Sequence, residues 1–265
     1  MSVAQAVSNS IYARTYGFSD ASDLSIERAI QGEQYFLGQC TLIWTNSRWT
    51  AQGLIAQGVS EDRIRVYPPA CGVRDPGVVD REWSQRRILF IGVDWERKGG
   101  PLLVEAFRRV RRQLADARLT IIGCSPQVSD EGVEILGYLS KANPNEARLI
   151  EQALSNASVF CMPTHFDTTG IVFLESAMYG LPSIMLAGQG REEIFPSDTA
   201  IHVSEPCPDQ LADVLIEMLN DPDRLASMGE RARANVLEKH TWEETAKVVF
   251  SYLIEAVSAK TANGA

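Results

Sequence analysis

The order of apolar and polar positions along the chain separates two regions. From Arg87 onward, short runs of apolar residues alternate with segments whose apolar residues recur at helical spacing. The short runs predict strands at Arg87–Gly92, Leu119–Gly123, Ser158–Met162 and Ser183–Leu186. The periodic segments predict helices at Pro101–Leu114, Asn145–Ser155, Gly170–Tyr179, Pro208–Leu219 and Pro222–Glu238. Such alternation is typical of α/β proteins in which helices cover both faces of a doubly wound parallel sheet.

The region before Arg87 contains fewer elements. It predicts helices at about Leu24–Gln39 and Ser47–Gln57, strands at Thr41–Thr45 and Ile64–Tyr67, and a turn at Pro68–Gly72. So few elements do not enclose a full core. We therefore expect the apolar residues of this region to be partly exposed, namely Ile43, Trp44, Leu54 and Ile55.

These patterns suggest three parts of the chain. We interpret residues 1–74 as the last part of an N-terminal domain together with a connector, and residues 75–240 as the main ligand-binding domain. A final helix, predicted at Thr241–Ala256 within residues 241–265, returns towards the first part.

Composition narrows the class of protein. Hydrophobic residues make up 45% and charged residues 22% of the chain, values that exclude a disordered or collagen-like protein. The sequence has neither a run of about 18 apolar residues nor a basic, apolar leader, so we expect no membrane span and no export. The five cysteines are widely spaced and form no C-x-x-C pair, which favours a reducing cytoplasm over a disulfide framework or a zinc site.

Charge is unevenly distributed. The net charge of −9 argues against nucleic acid as a partner. The stretch Arg81–Arg118, however, contains ten basic and five acidic residues, so it carries +5 while the rest of the chain carries −14. A local positive field suits an anionic ligand. Four of these basic residues have an alternative interpretation as the solvated face of an amphipathic helix, namely Arg108, Arg109, Arg111 and Arg112.

One candidate site follows the first predicted strand of the main domain. Gly92 is followed by a short polar segment, then Lys98, Gly99 and Gly100, and then a helix. Backbone N–H groups and a lysine at a strand-to-helix turn can bind phosphate oxygens. The segment matches neither a Walker loop nor a G-x-G-x-x-G fingerprint, so an ordinary turn with a solvated lysine remains an alternative.

A second candidate site lies at Pro163–Pro182. Asp167 is predicted in the loop after a buried strand, and Glu175 in the helix that follows. Amides at about Thr168–Gly170 can bind an anion, while the Glu175 carboxylate can accept hydrogen bonds from a polyol such as ribose. Alternatively, Asp167 is only a helix cap and Glu175 a surface residue.

Together, the two segments resemble the nucleotide-sugar half of the group 1 (family 4) glycosyltransferases, which have two Rossmann-like domains in the GT-B arrangement. The strand-G-R-x-x-x-x-K-G pattern corresponds to Gly92…Lys98-Gly99. The signature P-S-x-x-E-G-x-G-x-x-x-x-E-A-M-A-x-G-x-P corresponds to Pro163-Thr164…Asp167…Gly170…Glu175-Ser176-Ala177-Met178…Gly180-Leu181-Pro182. The resemblance covers nearly the whole chain.

The resemblance implies transfer of a sugar, with retention, from a nucleotide-diphosphate sugar to an acceptor hydroxyl, in polysaccharide or glycolipid synthesis. It assigns Lys98 to the donor diphosphate, with Arg97, Gly99, Thr168, Thr169 and Gly170 nearby. It assigns Asp167 to the donor sugar, Glu175 to the ribose, and Tyr138 and Leu139 to the base region. No metal or other cofactor is implied. The acceptor would be a carbohydrate or lipid-linked molecule, with a peripheral membrane or subunit contact.

The sequence departs from the family at three places. Val93 stands where the family has its basic residue, with Arg97 as a substitute, and Asp167 stands where glutamate is usual. The family's N-terminal glycine-rich loop and sugar-contacting histidine have no counterpart, so no catalytic residue is assigned. A non-catalytic sugar-nucleotide-binding remnant is therefore an alternative, and so is an epimerase or phosphorylase of the same plan. A nicotinamide-dependent oxidoreductase is disfavoured because no G-x-G-x-x-G follows a strand.

Asp221-Pro222-Asp223 has the D-x-D form that other glycosyltransferase folds use for metal. It lies between two predicted helices, where proline and aspartate are common first residues. We interpret it as a helix cap.

Overall fold

The N-terminal part of the chain contains a small parallel sheet. The structure is a computed structural model that describes residues 3–8, 13–14, 18–167 and 169–263. Strands β1 and β2 pair in parallel, with Ile43 opposite Ile64. The elements of this part are α1 (Val3–Ser8), α2 (Asp23–Gln39), β1 (Ile43–Thr45), α3 (Arg48–Ile55) and β2 (Ile64–Val66).

This sheet has a small core of its own. Five buried residues form one apolar cluster, namely Ile43, Ala51, Leu54, Val59 and Ile64. Ile43 and Leu54 are only 8% and 6% exposed, so the expectation that they are exposed was wrong. The physical reason is that α3 contacts both strands, and alternation along β1 points Ile43 inward and Trp44 outward. Trp44 and Ile55 are exposed, as expected.

Six parallel strands form the main sheet, in the order β5-β4-β3-β6-β7-β8. The α/β class with a doubly wound parallel sheet is confirmed. Two strands of this sheet, β5 and β8, were not predicted because they lie at its edges and include polar residues. The strands are β3 (Arg87–Ile91), β4 (Arg118–Ile122), β5 (Val133–Gly137), β6 (Val159–Cys161), β7 (Ser183–Leu186) and β8 (Ala200–Val203).

Helices pack on this sheet and bury a large apolar core. Phe90 of β3, Phe160 of β6 and Leu174 of the helix after β6 are fully buried at its centre. The helices are α4 (Gly100–Gln113), α5 (Pro144–Asn156), α6 (Ile171–Met178), α7 (Arg191–Ile194), α8 (Pro208–Leu219), α9 (Pro222–Lys239) and α10 (Trp242–Asn263). Within the described ranges, no helix is long and apolar enough to cross a membrane.

Helix α10 returns to the N-terminal part. Arg65 of β2 donates from Nε to Oε2 of Glu255 at 3.0 Å. Nearby, the hydroxyl of Tyr67 donates to the carbonyl of Lys239 at 2.6 Å, and the Cys71 amide donates to the carbonyl of His240 at 2.6 Å. The last two bonds join the connector to the turn between α9 and α10.

The chain order of the main sheet changes direction between β3 and β6. The chain moves from β3 outward to β4 and β5, and then returns to β6 on the other side of β3. The carboxyl ends of β3 and β6 therefore lie side by side at the switch point of the sheet, where the strand order changes direction. In open α/β sheets, ligands bind at this position.

Candidate functional site

The loop after β3 contacts the loop after β6 at a glycine. Gly99 precedes α4 with φ +76°, in the left-handed region. A Cβ atom added to Gly99 would lie 2.0 Å from the carbonyl oxygen of Pro163. Only glycine allows the two loops to approach this closely. The contact places Lys98 beside Asp167, although 69 positions separate them in the chain.

Lys98 and Asp167 form an ion pair at the switch point of the sheet. The Lys98 ammonium donates to Oδ2 of Asp167, and the two side chains are only 14% and 17% exposed. The other oxygen of Asp167, Oδ1, accepts the amides of Thr169 at 3.3 Å and Gly170 at 3.0 Å. Asp167 thus orders the backbone that leads into α6, as a cap does, while it also pairs with Lys98.

Electrostatics keep the Asp167 carboxyl ionised. Burial by itself raises the pKa of Asp167, but the charge and hydrogen bond of Lys98 and the amides of Gly170 and Thr169 outweigh it, so the pKa lies below its ordinary value. Burial lowers the pKa of Lys98, and the nearby Asp167 carboxylate opposes this shift. The site therefore presents a partly buried, charged pair.

Arg97 holds the two loops together. Its Nε donates to Asp94 at 2.9 Å within its own loop, and its Nη1 donates to the carbonyl of Phe166 at 2.9 Å in the other loop. The hydroxyl of Thr164 donates back to the carbonyl of Arg97 at 3.2 Å. The assignment of Arg97 to the diphosphate stays a prediction.

Glu175 lies on α6, one turn past its start, and is 7% exposed rather than on the surface. The ammonium of Lys141, from the loop after β5, pairs with its Oε1. The same oxygen would lie 2.6 Å from a Cβ added to Gly72 of the connector. No motif in the sequence points to Lys141, which reaches Glu175 only because the loops after β5 and β6 meet at the same edge of the sheet.

The remaining assigned residues fall into two groups. Tyr138 is 69% exposed, whereas Leu139 packs against the main core. Thr169 and Gly170 lie beside the Asp167 carboxylate as described, while Thr168 lies outside the described residues.

The N-terminal part also reaches this site. Asn46 donates from Nδ2 to the hydroxyl of Thr169 at 2.5 Å, and the ring of Trp49 packs edge-on against Phe166, with 6.1 Å between ring centroids. The amide of Arg48, at the start of α3, donates to Glu193 at 3.1 Å. Sequence reasoning gave neither Asn46 nor Trp49 a role at the site, because side-chain contacts between distant segments leave no periodic pattern.

Carboxylates elsewhere in the chain neutralise much of the basic stretch. Arg108 pairs with Asp130 at 2.6 Å, Arg109 with Asp209 at 2.5 Å, and Arg111 with Glu131 at 2.7 Å. The expected positive field of Arg81–Arg118 is therefore reduced. The solvated-face interpretation fits Arg108, which is 55% exposed, better than Arg111, which is 14% exposed. Lys98 and Arg97 are cations of this stretch that lie at the switch point of the sheet.

The D-x-D sequence caps a helix, as interpreted. Oδ1 of Asp221 accepts the amide of Arg224 at 2.9 Å at the start of α9. Across the part of the chain that the structure describes, no group of three or more His, Cys, Asp or Glu residues is arranged to hold a metal ion.

Comparison with known proteins identifies the family. The family model described as "Glycosyl transferases group 1" matches residues 85–221, just over half of the chain. A GDP-mannose-dependent monoacylated alpha-(1-6)-phosphatidylinositol monomannoside mannosyltransferase of Corynebacterium glutamicum is 31% identical in an alignment of length 163 that covers 56% of this chain and 41% of that protein. A D-inositol 3-phosphate glycosyltransferase of Paenarthrobacter aurescens is 27% identical in an alignment of length 251 that covers 87% of this chain and 61% of that protein.

Solved structures agree on the fold. Sucrose-phosphate synthase from Thermosynechococcus elongatus superposes with a TM-score of 0.69 at 20% identity, covering 88% of this chain and 62% of that one. A mutant of S. aureus TarM, in complex with Fondaparinux, alpha-GlcNAc-glycerol and UDP, gives a TM-score of 0.69 at 13% identity, covering 85% and 46%. The main sheet corresponds to the C-terminal Rossmann-like half of GT-B proteins. The chain spans about half the length of these proteins, and it belongs to the group 1 glycosyl transferases.

Proposed function

We propose that this chain builds the donor side of a retaining glycosyltransferase, which moves a sugar from a nucleotide-diphosphate sugar to an acceptor hydroxyl. The observation that carries the proposal is the Lys98–Asp167 pair at the switch point of the sheet, with the buried Glu175 carboxylate on the helix that begins beside it. The site combines a cation and an ordered helix start with two carboxylates. This combination suits a ligand that has a phosphate group between two groups of hydroxyls.

The chemistry that such a site supplies is mainly electrostatic. As the bond to the sugar breaks, negative charge builds on the departing diphosphate, and fixed positive groups stabilise that charge. Lys98 supplies the cation, and the positive end of the α6 dipole adds to it. We therefore propose that transfer needs no metal ion.

The two carboxylates bind different hydroxyls in this proposal. The Glu175 carboxylate accepts hydrogen bonds from the ribose hydroxyls. The Lys141 ammonium, which pairs with Oε1 of Glu175, balances the charge of this carboxylate. Asp167 accepts from hydroxyls of the transferred sugar, and the base lies near Tyr138 and Leu139. The names of the relatives support GDP-mannose as a first donor to test and an inositol-containing or lipid-linked acceptor. We place the reaction in cytoplasmic polysaccharide or glycolipid synthesis.

A second candidate function is nucleotide-sugar binding without transfer. The N-terminal part of the described chain forms a two-stranded sheet with five core residues, and residues 1–74 contain no histidine. An opposite wall that positions the acceptor and excludes water makes a large contribution to transfer rates. Calorimetry with GDP, UDP and their sugars, followed by a transfer assay with inositol 3-phosphate, distinguishes the two candidates. Binding without transfer supports the second one.

Separate substitutions of the two carboxylates test their proposed roles. Glu175→Gln is expected to weaken GDP and GDP-mannose equally, by about tenfold, because both contain the ribose. Asp167→Asn is expected to weaken GDP-mannose alone. It should leave GDP binding equal or tighter, because Lys98 loses the carboxylate that competes with phosphate. Titration calorimetry measures both affinities, with UDP and UDP-glucose in parallel.

An exposed carboxylate on the same domain serves as the control. Glu131→Gln removes a side chain that is 90% exposed, pairs with Arg111 and lies at the opposite end of β5 from Tyr138, so it should change none of the affinities. If Asp167→Asn weakens GDP as much as GDP-mannose, the division of roles between Asp167 and Glu175 is wrong.

A further inference from the structure

Two residues that contact the Asp167 loop, Gln189 and Arg191, are in energetically unfavourable states. Gln189 lies between β7 and α7 with φ +62°, a left-handed backbone conformation that non-glycine residues rarely adopt. Arg191, the first residue of α7, is 1% exposed. Neither residue belongs to the motif that identifies the donor site. Strained backbone and buried charge concentrate where a structure must hold a particular geometry.

The side chain of Gln189 bonds to the loop on both sides of Phe166. Its Oε1 accepts the amide of Asp167 at 3.0 Å, and its Nε2 donates to the carbonyl of His165 at 2.9 Å. One amide group thus satisfies a backbone donor and a backbone acceptor, in the pattern of a neighbouring strand. These bonds restrict the backbone from which the Asp167 carboxylate projects.

Arg191 hydrogen-bonds both to Gln189 and to the Asp167 loop. Its Nη1 donates to Oε1 of Gln189 at 2.8 Å and to the carbonyl of Asp167 at 3.3 Å. Its Nε and Nη2 donate to the carbonyls of Leu186 at 3.0 Å and Ala187 at 3.2 Å. All of these acceptors are neutral oxygens.

No carboxylate of the described residues lies within ion-pair distance of Arg191. A buried guanidinium without a carboxylate partner is unfavourable unless its hydrogen bonds are well formed. Burial accordingly lowers the pKa of Arg191, and the more distant charges of Asp167 and Glu192 oppose that shift.

We infer that Gln189 and Arg191 are positioning residues, which hold the backbone of the Asp167 loop so that this carboxylate meets the donor sugar. The inference rests on the proposed function. Both backbone groups of Asp167 are bound by this pair, so its side chain alone remains for Lys98, the Thr169 and Gly170 amides, and substrate. Loss of Gln189 or Arg191 should therefore weaken the binding of the donor's sugar part more than the binding of its nucleotide part.

Gln189→Gly is the main test. Glycine favours the left-handed backbone, so this variant removes the side-chain bonds without adding strain. In the ligand-free protein, amide hydrogen exchange at Thr169 and Gly170 should become at least about tenfold faster, while amides of β3 should keep their rates. Arg191→Met, which removes the charge and preserves much of the apolar volume, should give the same pattern. If Arg191→Met does not fold, Gln189→Gly decides the test.

Calorimetry with GDP, GDP-mannose, UDP and UDP-glucose forms the second part of the test. Gln189→Gly should reduce the affinity for the sugar-bearing probe at least fivefold and leave the bare nucleotide unchanged. In an Asp167→Asn background the same substitution should have no further effect, because the pair acts through Asp167. Glu131→Gln again serves as the control. The Glu131 side chain is 90% exposed and pairs with Arg111 rather than with the Asp167 loop, so both measurements should stay at their parent values.

Unchanged exchange at Thr169 and Gly170 in Gln189→Gly would overturn the inference, and so would equal losses for bare and sugar-bearing nucleotides. If the parent binds none of the four probes, the proposed function fails. The exchange rates then still show whether Gln189 and Arg191 order the loop.

Discussion

Replacing Lys98 with alanine is expected to weaken nucleoside diphosphate binding by about 1.5–3 kcal/mol, or roughly 10- to 150-fold. The lysine is 14% exposed and lies at the switch point of the sheet, so its ammonium meets a ligand with little water between them. The structure adds a second reason. Without Lys98, the partly buried Asp167 carboxylate loses its ion-pair partner and repels the diphosphate.

The nucleoside without phosphate should bind Lys98→Ala and the parent equally. Arg108→Ala provides the control, because Arg108 comes from the same basic stretch but is 55% exposed and paired with Asp130. Its removal should change the diphosphate affinity little. Added salt should reduce any remaining difference in affinity between Arg108→Ala and the parent. Titration of GDP and UDP against the three proteins makes the comparison. Equal diphosphate affinity in Lys98→Ala and the parent would contradict the assignment of Lys98.

Gly99→Ala is expected to lower the free energy of unfolding by roughly 3–5 kcal/mol, since two costs combine. A left-handed backbone disfavours alanine by about 1–2 kcal/mol, and the new Cβ would lie 2.0 Å from a backbone oxygen that cannot turn aside. Relief of this overlap separates the loops after β3 and β6, so Lys98 moves away from Asp167. Nucleotide binding should therefore fall together with stability. Thermal and denaturant unfolding measure the loss.

Gly32→Ala is the matched control for this substitution. Gly32 lies inside α2, and nothing lies within 4 Å of a Cβ added there. Alanine in a helix interior is favoured over glycine by about 1 kcal/mol, so this variant should be slightly more stable than the parent. A Gly99→Ala protein with parental stability and nucleotide affinity would show that the two loops do not need their close approach.

Local sequence patterns predicted most of the main domain. β7 and α8 begin and end where the pattern placed them, α9 differs by one residue at its end, and α4 and α5 differ by one residue at each end. Apolar spacing and helix caps are properties of neighbouring residues, so they can be recognised without knowledge of the fold. The edge strands β5 and β8 were missed because an edge strand buries fewer side chains and tolerates polar ones.

The candidate site was predicted as two separate segments rather than as an arrangement. The residues around Lys98 and those from Asp167 to Glu175 each carry a motif, so each could be found alone. Lys141 and Arg191 carry none. Their contribution depends on which loops become neighbours, and the only local sign near Arg191 is the pair of glycines that flank Gln189.

Residue types at short, regular spacing were enough to establish the alternation of strands and helices, the class of the fold and the family resemblance. Three-dimensional packing was needed to show that β3 lies beside β6, that Lys98 pairs with Asp167, and that Ile43 is buried. These contacts depend on the order of the strands and on the burial of side chains that are far apart in the chain. Contacts of that kind are selected by the stability of the whole fold, and no local pattern encodes them.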